Sequence, residues 1–441
     1  MKNLFSSAAS LLLGEAPEAS VIHDVHFLLT ELGYAPPAGA EPDPETRHRA
    51  RLLKAASHFT RIFELAAPEA PGLVAFGAEF DPAVADALHR GSPPVGVSGI
   101  GLTMQAAFQG CVGEGIEYLS QLQRADDPLT AADGFEPAEA LDRPARELIT
   151  ALMSSRGGLS WHRAIRLSDR AEIRLPADLC LRRPKAAQEF APPFPLSIGS
   201  AAGTSWAGAA LHGVLELIER DAASLWWRGG KRGSAVPPDV AAGAQALLGT
   251  LRAGAAVERR SWLLDITTDI GVPAVTALSC RSDGFGFAFG LAARPTLQAA
   301  AHSAALEMCQ GELACAVVEA KRRERGDAAL NERDRGHLQR ATAIDANACA
   351  LLHPGSARAE HLAIDGADAH TAFQSIVRRL SELGIETYGL DLTRQNLAVP
   401  VARVVAPALQ LEPSTLATPR LADMIALTGG GAAHTGGISL I

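Results

Sequence analysis

Residues 199–221 read GSAAGTSWAGAALHGVLELIERD, in which a glycine-rich turn precedes an Ala-rich helical pattern that ends in Glu216 and Glu219. Glycines are typical of tight turns, and the apolar spacing after them indicates a helix that is largely buried. Two glutamates three residues apart lie on one helical face, with Cβ atoms about 5 to 6 Å apart. This stretch therefore predicts two carboxylates held side by side on a buried helix.

Two further segments repeat this layout. The first runs from Gly99 and Gly101 through Ala106-Ala107 to Glu114 and Glu117. The other runs from Arg294-Pro295-Thr296 through Ala299-Ala300-Ala301 to Glu307 and Gln310, and its proline suits the start of a helix. One Glu-x-x-Glu pair is common on exposed helices, but three polar pairs on Ala-rich helices indicate a shared site.

The glutamates of these helices predict a site for magnesium and a nucleotide. Several buried carboxylates that converge repel one another unless they are protonated or bridged by cations. Oxygen ligands without clustered His or Cys favour Mg²⁺, which often bridges nucleotide phosphates. The glycine-rich turns, with Gly203 and Thr204 before the second helix, are expected to offer backbone N–H groups to phosphate. No GxxxxGK[ST] sequence is present, so a P-loop is excluded.

The composition narrows the class of protein. The chain has 441 residues, 47% of them apolar, and a net charge of -9, which argues against general binding to nucleic acid or to an anionic membrane. No run of about 18 apolar residues predicts a membrane span. The six cysteines form no CxxC pair, so we expect a reducing, cytoplasmic setting without zinc or disulfides.

The alternation of strand and helix signals predicts the fold class. Strand-like runs occur at residues 262–265, 272–278, 286–291, 387–392 and 399–405, between helical segments. They indicate a mixed α/β or α+β body. The run from Asp265 to Pro273 resembles the run from Asp391 to Pro400, which predicts a duplicated strand unit. We expect residues 1–75 to form a helical accessory segment and residues 76–441 to form the catalytic domain.

The quoted motifs resemble those of the YcaO family. The specific match is the turn Ser200-Ala-Ala-Gly203 followed by Leu215-Glu-Leu-Ile-Glu-Arg-Asp-Ala222, which is similar to the family's second nucleotide motif. The other two pairs match its first Glu-x-x-Glu and its third Glu-x-x-Gln motif. The segment from Asp391 to Pro407 is similar to a late strand whose arginine, here Arg403, faces phosphate. The resemblance covers about residues 72–407.

The resemblance implies a YcaO-type fold in which ATP and Mg²⁺ bind between the glutamate-bearing helices. Arg403, Glu216 and Glu219 are the implied catalytic residues. The implied metal ligands are Glu114, Glu117, Glu216, Glu219 and Glu307. The implied nucleotide site comprises these glutamates with Gln310, Gly203, Thr204, Arg220 and Arg403.

The resemblance also implies a reaction and partners. Members of the family activate a peptide amide oxygen with the γ-phosphate of ATP. In the commonest reaction a Cys, Ser or Thr side chain of a ribosomally made precursor peptide attacks the preceding carbonyl, and phosphate then leaves a thiazoline or oxazoline. The implied partners are the precursor peptide, a leader-binding E1-like or ocin-ThiF-like protein and, where azolines are oxidised, a flavin dehydrogenase. Homodimers are common among such proteins.

Departures from the family pattern leave alternatives open. Gly110 replaces a usual serine, Tyr118 a usual arginine and Gly208 a usual glutamate, and the end of the chain at residues 436–441 has no Pro-x-Pro-x-Pro tail. One alternative keeps the ATP site but uses an external nucleophile to make a thioamide or an amidine. The other is a nucleotide-binding accessory protein without chemistry of its own.

Overall fold

The computed structural model describes residues 2–35, 41–132, 139–152, 158–356, 360–366 and 368–441. Within them the helices are α1 (Lys2–Leu12), α2 (Ile22–Glu31), α3 (Pro44–Ala56), α4 (Met104–Gln121), α5 (Arg143–Leu152), α6 (Ala177–Cys180), α7 (Trp206–Trp227), α8 (Pro238–Leu251), α9 (Leu297–Arg325), α10 (Glu332–Ala343), α11 (Ala369–Glu382), α12 (Pro419–Thr428) and α13 (Ala432–Thr435). The strands are β1 (Arg61–Glu64), β2 (Val74–Phe80), β3 (Val95–Gly101), β4 (Thr130–Ala132), β5 (Leu159–Arg166), β6 (Glu172–Pro176), β7 (Ser200–Ala202), β8 (Ser234–Ala235), β9 (Arg260–Asp265), β10 (Ala274–Cys280), β11 (Ala288–Ala293), β12 (Tyr388–Asp391) and β13 (Val401–Val405).

The strands form three antiparallel sheets. The first has the order β1-β2-β3, the second β11-β10-β9-β8, and the third β4-β5-β12-β13-β7 with β6 also paired to β5. One long helix packs on each sheet. Helices α4, α7 and α9 follow β3, β7 and β11 in the chain and pack on those strands, and α7 also packs on β13. The mixed α+β class is thus confirmed, and all five predicted strands are present with ends shifted by about two residues.

The predicted duplication of strand units is also confirmed. The hairpins β9–β10 and β12–β13 carry the same turn, because the Asp265 carboxylate accepts the N–H of Thr267 at 3.0 Å and that of Asp391 accepts the N–H of Thr393 at 2.9 Å. The two threonine hydroxyls then each accept an N–H from the start of the next strand, at 3.0 and 3.1 Å. Identical side-chain contacts therefore build both turns.

Close contact between strand and helix depends on small residues. A Cβ atom on Gly99 of β3 would lie 2.0 Å from the backbone nitrogen of Cys111 on α4. A Cβ atom on Gly290 of β11 would lie 2.2 Å from the carbonyl oxygen of Ala304 on α9. No real side chain tolerates such distances, so glycine at these positions lets the helix backbones approach the sheets directly.

The N-terminal helices belong to the same body as the first sheet. Phe5 of α1 stacks on Phe108 of α4 with ring centroids 5.9 Å apart, and α1 to α3 share one hydrophobic core with β2, β3 and α4. The helical segment ends at Ala56, and β2 begins at Val74. The boundary predicted at residue 75 therefore falls inside a strand.

Candidate active site

The three polar pairs occupy equivalent places on α4, α7 and α9. Each helix begins after a hydroxyl-bearing N-cap residue, whose oxygen accepts the N–H three residues later: Thr103, Ser205 and Thr296. In all three helices the first glutamate lies eleven residues after the N-cap and the second polar residue fourteen residues after it. The same local start therefore places all three pairs at the same depth along their helices.

The first carboxylate of each pair binds the strand of its own unit. Ser98 N–H donates to Glu114 at 2.8 Å, Gly199 N–H donates to Glu216 at 3.0 Å, and Leu291 N–H donates to Glu307. A backbone N–H therefore orients each of these three carboxylates toward the sheet from which its helix emerges.

The second member of each pair binds the strand of the next unit. Ala202 N–H of β7 donates to Glu117 of α4 at 2.8 Å, Ala293 N–H of β11 donates to Glu219 of α7, and the Gln310 amide of α9 donates to the Ser98 hydroxyl of β3 at 3.1 Å. These contacts close a ring of three units. We call the six side chains the carboxylate ring: Glu114, Glu117, Glu216, Glu219, Glu307 and Gln310.

The carboxylates of the ring are held under electrostatic strain. Burial raises the pKa of Glu117 to about 8, and the neighbouring Glu216 and Glu114 add to that rise. Burial raises the pKa of Glu216 to about 7 and, with Glu219, that of Glu307 to about 8. Burial also raises the pKa of Glu114 and Glu219. An added cation would relieve this repulsion.

One arginine predicted for the site lies in the ring. A terminal nitrogen of Arg220 is 3.7 Å from the Glu216 carboxylate and 3.6 Å from that of Glu219. Arg220 thus neutralises part of the negative charge, and in the part of the chain that the structure describes the other three carboxylates of the ring form no direct ion pair.

Arg294 is a site residue that the sequence did not reveal. It follows β11 and donates to the Ala293 carbonyl at 2.8 Å. Its charge offsets part of the rise that burial causes in the pKa of Glu219 and Glu307. Within the described residues it forms no ion pair with a carboxylate. Its only sequence signal is its position immediately before Pro295 and the third helix, where it reads as part of a helix start.

Arg403 is buried close to the ring, and its charge offsets part of the rise in the pKa of Glu216. The side chain is 0% exposed, and its Nε and Nη1 donate to the carbonyl oxygens of Leu179 and Leu196 at 2.7 and 2.5 Å. Nη1 also donates to the Ser200 hydroxyl at 3.0 Å. Nη2 of Arg403 is buried and has no hydrogen-bond partner in the described residues, so its contact with phosphate, which the resemblance implies, stays a prediction.

The glycine-rich turn uses two of its backbone amides within the protein, whereas the predicted contact of Gly203 and Thr204 with nucleotide stays a prediction. The N–H of Gly199 donates to Glu216, and the N–H of Gly203 donates to the Pro400 carbonyl at 3.0 Å. Neither amide is free for phosphate. Thr204 is exposed at the start of α7, one residue before the N-cap Ser205.

The donor set of the ring suits Mg²⁺. Five carboxylates and one amide offer oxygen ligands, and burial raises the pKa values of the five carboxyl groups, so a bound cation would stabilise their charged forms. In the described part of the chain, no three His, Cys, Asp or Glu side chains already converge as ligands of one ion. Each glutamate of the ring gives an oxygen to a backbone N–H, so a metal would bind through the remaining oxygens.

The fold and the ring of carboxylates suit a protein that binds a metal–nucleotide complex without a P-loop. Residues 98–410 match the family model described as YcaO cyclodehydratase, ATP- and Mg²⁺-binding. The chain belongs to the YcaO family. This match covers the carboxylate ring and most of the span inferred from the motifs.

Solved structures support the same fold. A heterocyclase in complex with substrate and cofactor aligns with a TM-score of 0.68 and 21% identity over 88% of this chain and 54% of that one. YcaO from Methanopyrus kandleri bound with AMPPCP and Mg²⁺ aligns with a TM-score of 0.54 and 18% identity over 83% of this chain and 91% of that one.

An E. coli microcin synthetase McbBCD complex contains a chain that aligns with a TM-score of 0.56 and 16% identity, over 76% of this chain and 85% of that one. The present chain spans about half the length of the heterocyclase. A search of curated proteins finds no significant match. In the described residues, no helix is long and apolar enough to cross a membrane.

Proposed function

We propose that the chain is an ATP-dependent cyclodehydratase that activates a backbone amide of a precursor peptide. The carboxylate ring is the observation that carries this proposal, because hydrogen bonds link five glutamates with raised pKa values through three helices and their strands. Membership of a family described as ATP- and Mg²⁺-binding supports it. The solved complexes with AMPPCP and Mg²⁺, and with substrate and cofactor, concern other proteins and support it by analogy.

The proposed metal ligands are Glu114, Glu117, Glu216, Glu219 and Glu307, with Gln310 as a polar partner of the nucleotide. Bound Mg²⁺-ATP would supply the phosphoryl group that activates the amide oxygen. The glutamates of the chain would hold the triphosphate in one orientation, since phosphoryl transfer depends mainly on alignment and charge neutralisation.

We assign phosphate neutralisation to Arg220 and Arg294. Arg220 already touches two carboxylates. Arg294 has no ion-pair partner in the described residues and lies beside Glu219 and Glu307, so its charge is available to phosphate. Arg403 positions the loop whose Gly199 N–H orients Glu216. Its unpartnered Nη2 is also proposed to contact phosphate, as the resemblance implies.

In the proposed reaction a Cys, Ser or Thr side chain of the peptide attacks the preceding carbonyl carbon. The amide oxygen takes the γ-phosphoryl group, and loss of phosphate leaves the azoline. A leader-binding partner is part of the proposal, since the McbBCD neighbour works within a complex. The six cysteines are free, which supports a reducing cytoplasmic setting.

The test starts with nucleotide binding by the protein alone. We expect Mg²⁺-ATP to bind the wild type and the Glu324→Gln control, which changes an exposed glutamate at the far end of α9. Glu216→Gln should weaken binding at least about tenfold, because it removes a charged ligand of the metal. Equal binding by both variants contradicts the assignment of the ring.

Turnover is tested next with a precursor peptide encoded beside the gene, carrying oxygen-18 in its backbone amides, together with the partner protein. Loss of one water from the peptide with the label in released phosphate would confirm cyclodehydration. A peptide mass that corresponds to a thioamide or an amidine would contradict cyclodehydration and support that other reaction class. Bound ATP that stays intact with every partner present would support the accessory role instead.

A further inference from the structure

A cavity lies beside the carboxylate ring. Its volume is about 670 Å³, within the range of ligand-binding sites, and it lies between α4, the loop of residues 182–196 and the segment 413–415. Tyr118 in its wall directly follows Glu117 of the ring. Leu196, also in its wall, holds Arg403 through its carbonyl oxygen. The cavity and the ring therefore share one stretch of α4 and one loop.

The charge of this cavity is opposite to that of the chain. Arg182, Arg183 and Lys185 line it, and none of its described lining residues is Asp or Glu. The whole chain carries a net charge of -9. Three cations without a lining carboxylate thus make a local positive site, which attracts an anionic group.

Arg182 is fixed in place without a counter-ion. Its guanidinium carbon lies 4.3 Å from the centre of the Tyr118 ring, and its Nε donates to Gln121 Oε1 at 2.8 Å. Its backbone N–H and C=O bind Gln121 and Gln123. Burial lowers its pKa, and within the described residues it forms no ion pair. An arginine held rigidly in this way gains most from an anion supplied by a ligand.

The neighbouring cations differ in how they are neutralised. Arg183 forms ion pairs with Asp178 at 3.3 Å and with Glu189 at 3.2 Å, so its charge is already used inside the protein. Lys185 is exposed and forms no ion pair in the part of the chain that the structure describes. Arg182 and Lys185 are therefore the two charges that remain for a ligand.

We propose that this cavity binds an acidic segment of the substrate peptide, with a Glu or Asp side chain placed against Arg182 and Lys185. The inference rests on the proposed function. The walls favour a peptide, because Phe194 and the flanking prolines offer an apolar surface for an extended chain. The phosphates of the nucleotide belong with the metal-binding glutamates of the ring. The cavity then sets which sequences beside the modified residue are accepted.

The experiment uses synthetic octapeptides with a central Gly-Cys pair flanked by Glu, Gln or Lys residues. Ligand-observed NMR measures their affinity for the full chain at low salt. The Glu peptide should bind the wild type about tenfold more tightly than the Gln peptide, and this preference should fall with added salt. Arg182→Glu and Lys185→Glu should each abolish it, and Arg182→Glu should favour the Lys peptide. The exposed Arg51→Glu serves as the control.

Three results would overturn the inference. The first is equal affinity of the wild type for the Glu and Gln peptides. The second is an unchanged preference in Lys185→Glu, an exposed site where the fold is not at risk. The third is a loss of Mg²⁺-ATP affinity in Arg182→Glu together with the loss of peptide preference, which would indicate that the cavity binds the nucleotide. A wild type that binds the Glu peptide but no nucleotide would contradict the proposed function and leave the peptide cavity standing.

Discussion

Replacement of Glu117 by Gln should stabilise the empty protein at alkaline pH. The amide keeps an oxygen for the Ala202 N–H but carries no charge beside Glu216 and Glu114. The pKa of Glu117 rises from its ordinary value of 4.5 to about 8 on folding. Its ionisation therefore opposes folding increasingly as the pH rises from about 4.5 to about 8, and by a constant amount above that.

The size of the effect follows from the shift in pKa. Each pKa unit corresponds to about 1.4 kcal/mol, so the full shift would amount to about 5 kcal/mol. The side chain is partly open to solvent, which screens the charge. We therefore expect Glu117→Gln to raise the free energy of unfolding by about 2 kcal/mol at pH 8.5 and by almost nothing at pH 4.5.

Urea unfolding of the wild type and Glu117→Gln from pH 5 to pH 9 measures this difference, with Glu324→Gln as the control. Added Mg²⁺-ATP should reverse the order, because it stabilises the wild type by binding the folded state and the variant binds it less well. A variant that is less stable than the wild type at pH 8.5, or a difference that does not change with pH, would contradict the electrostatic account of the ring.

Three further predictions concern the framework of the site. Arg403→Lys should lower the free energy of unfolding by about 2 kcal/mol, because an ammonium group cannot span the carbonyl oxygens of Leu179 and Leu196; an unchanged urea midpoint would argue against the positioning role. Gly290→Ala should cost about 3 kcal/mol or more through its clash with α9. Gly113→Ala, whose new methyl group meets no atom within 4 Å, should leave the urea midpoint unchanged or raise it slightly.

The glutamate pairs and five of the described strands could be predicted because they depend on local chemistry. Spacing of three residues puts Glu216 and Glu219 on one helical face whatever surrounds the helix. Turn residues and alternating apolar residues likewise located the five strands. The family motif was recognisable for the same reason, since it consists of one turn and one helix that are contiguous in the chain.

Contacts between distant segments required the tertiary structure. Ala293 and Glu219 are far apart in the chain, and the hydrogen bond between them depends on how the sheets pack around the three helices. Packing of the same kind brings Arg294 into the site and buries Arg403 against carbonyl groups of remote loops. The local sequence determines which residues share a helical face. Which partners a buried charged side chain meets is decided by the packing of sheets and loops that are distant in the chain.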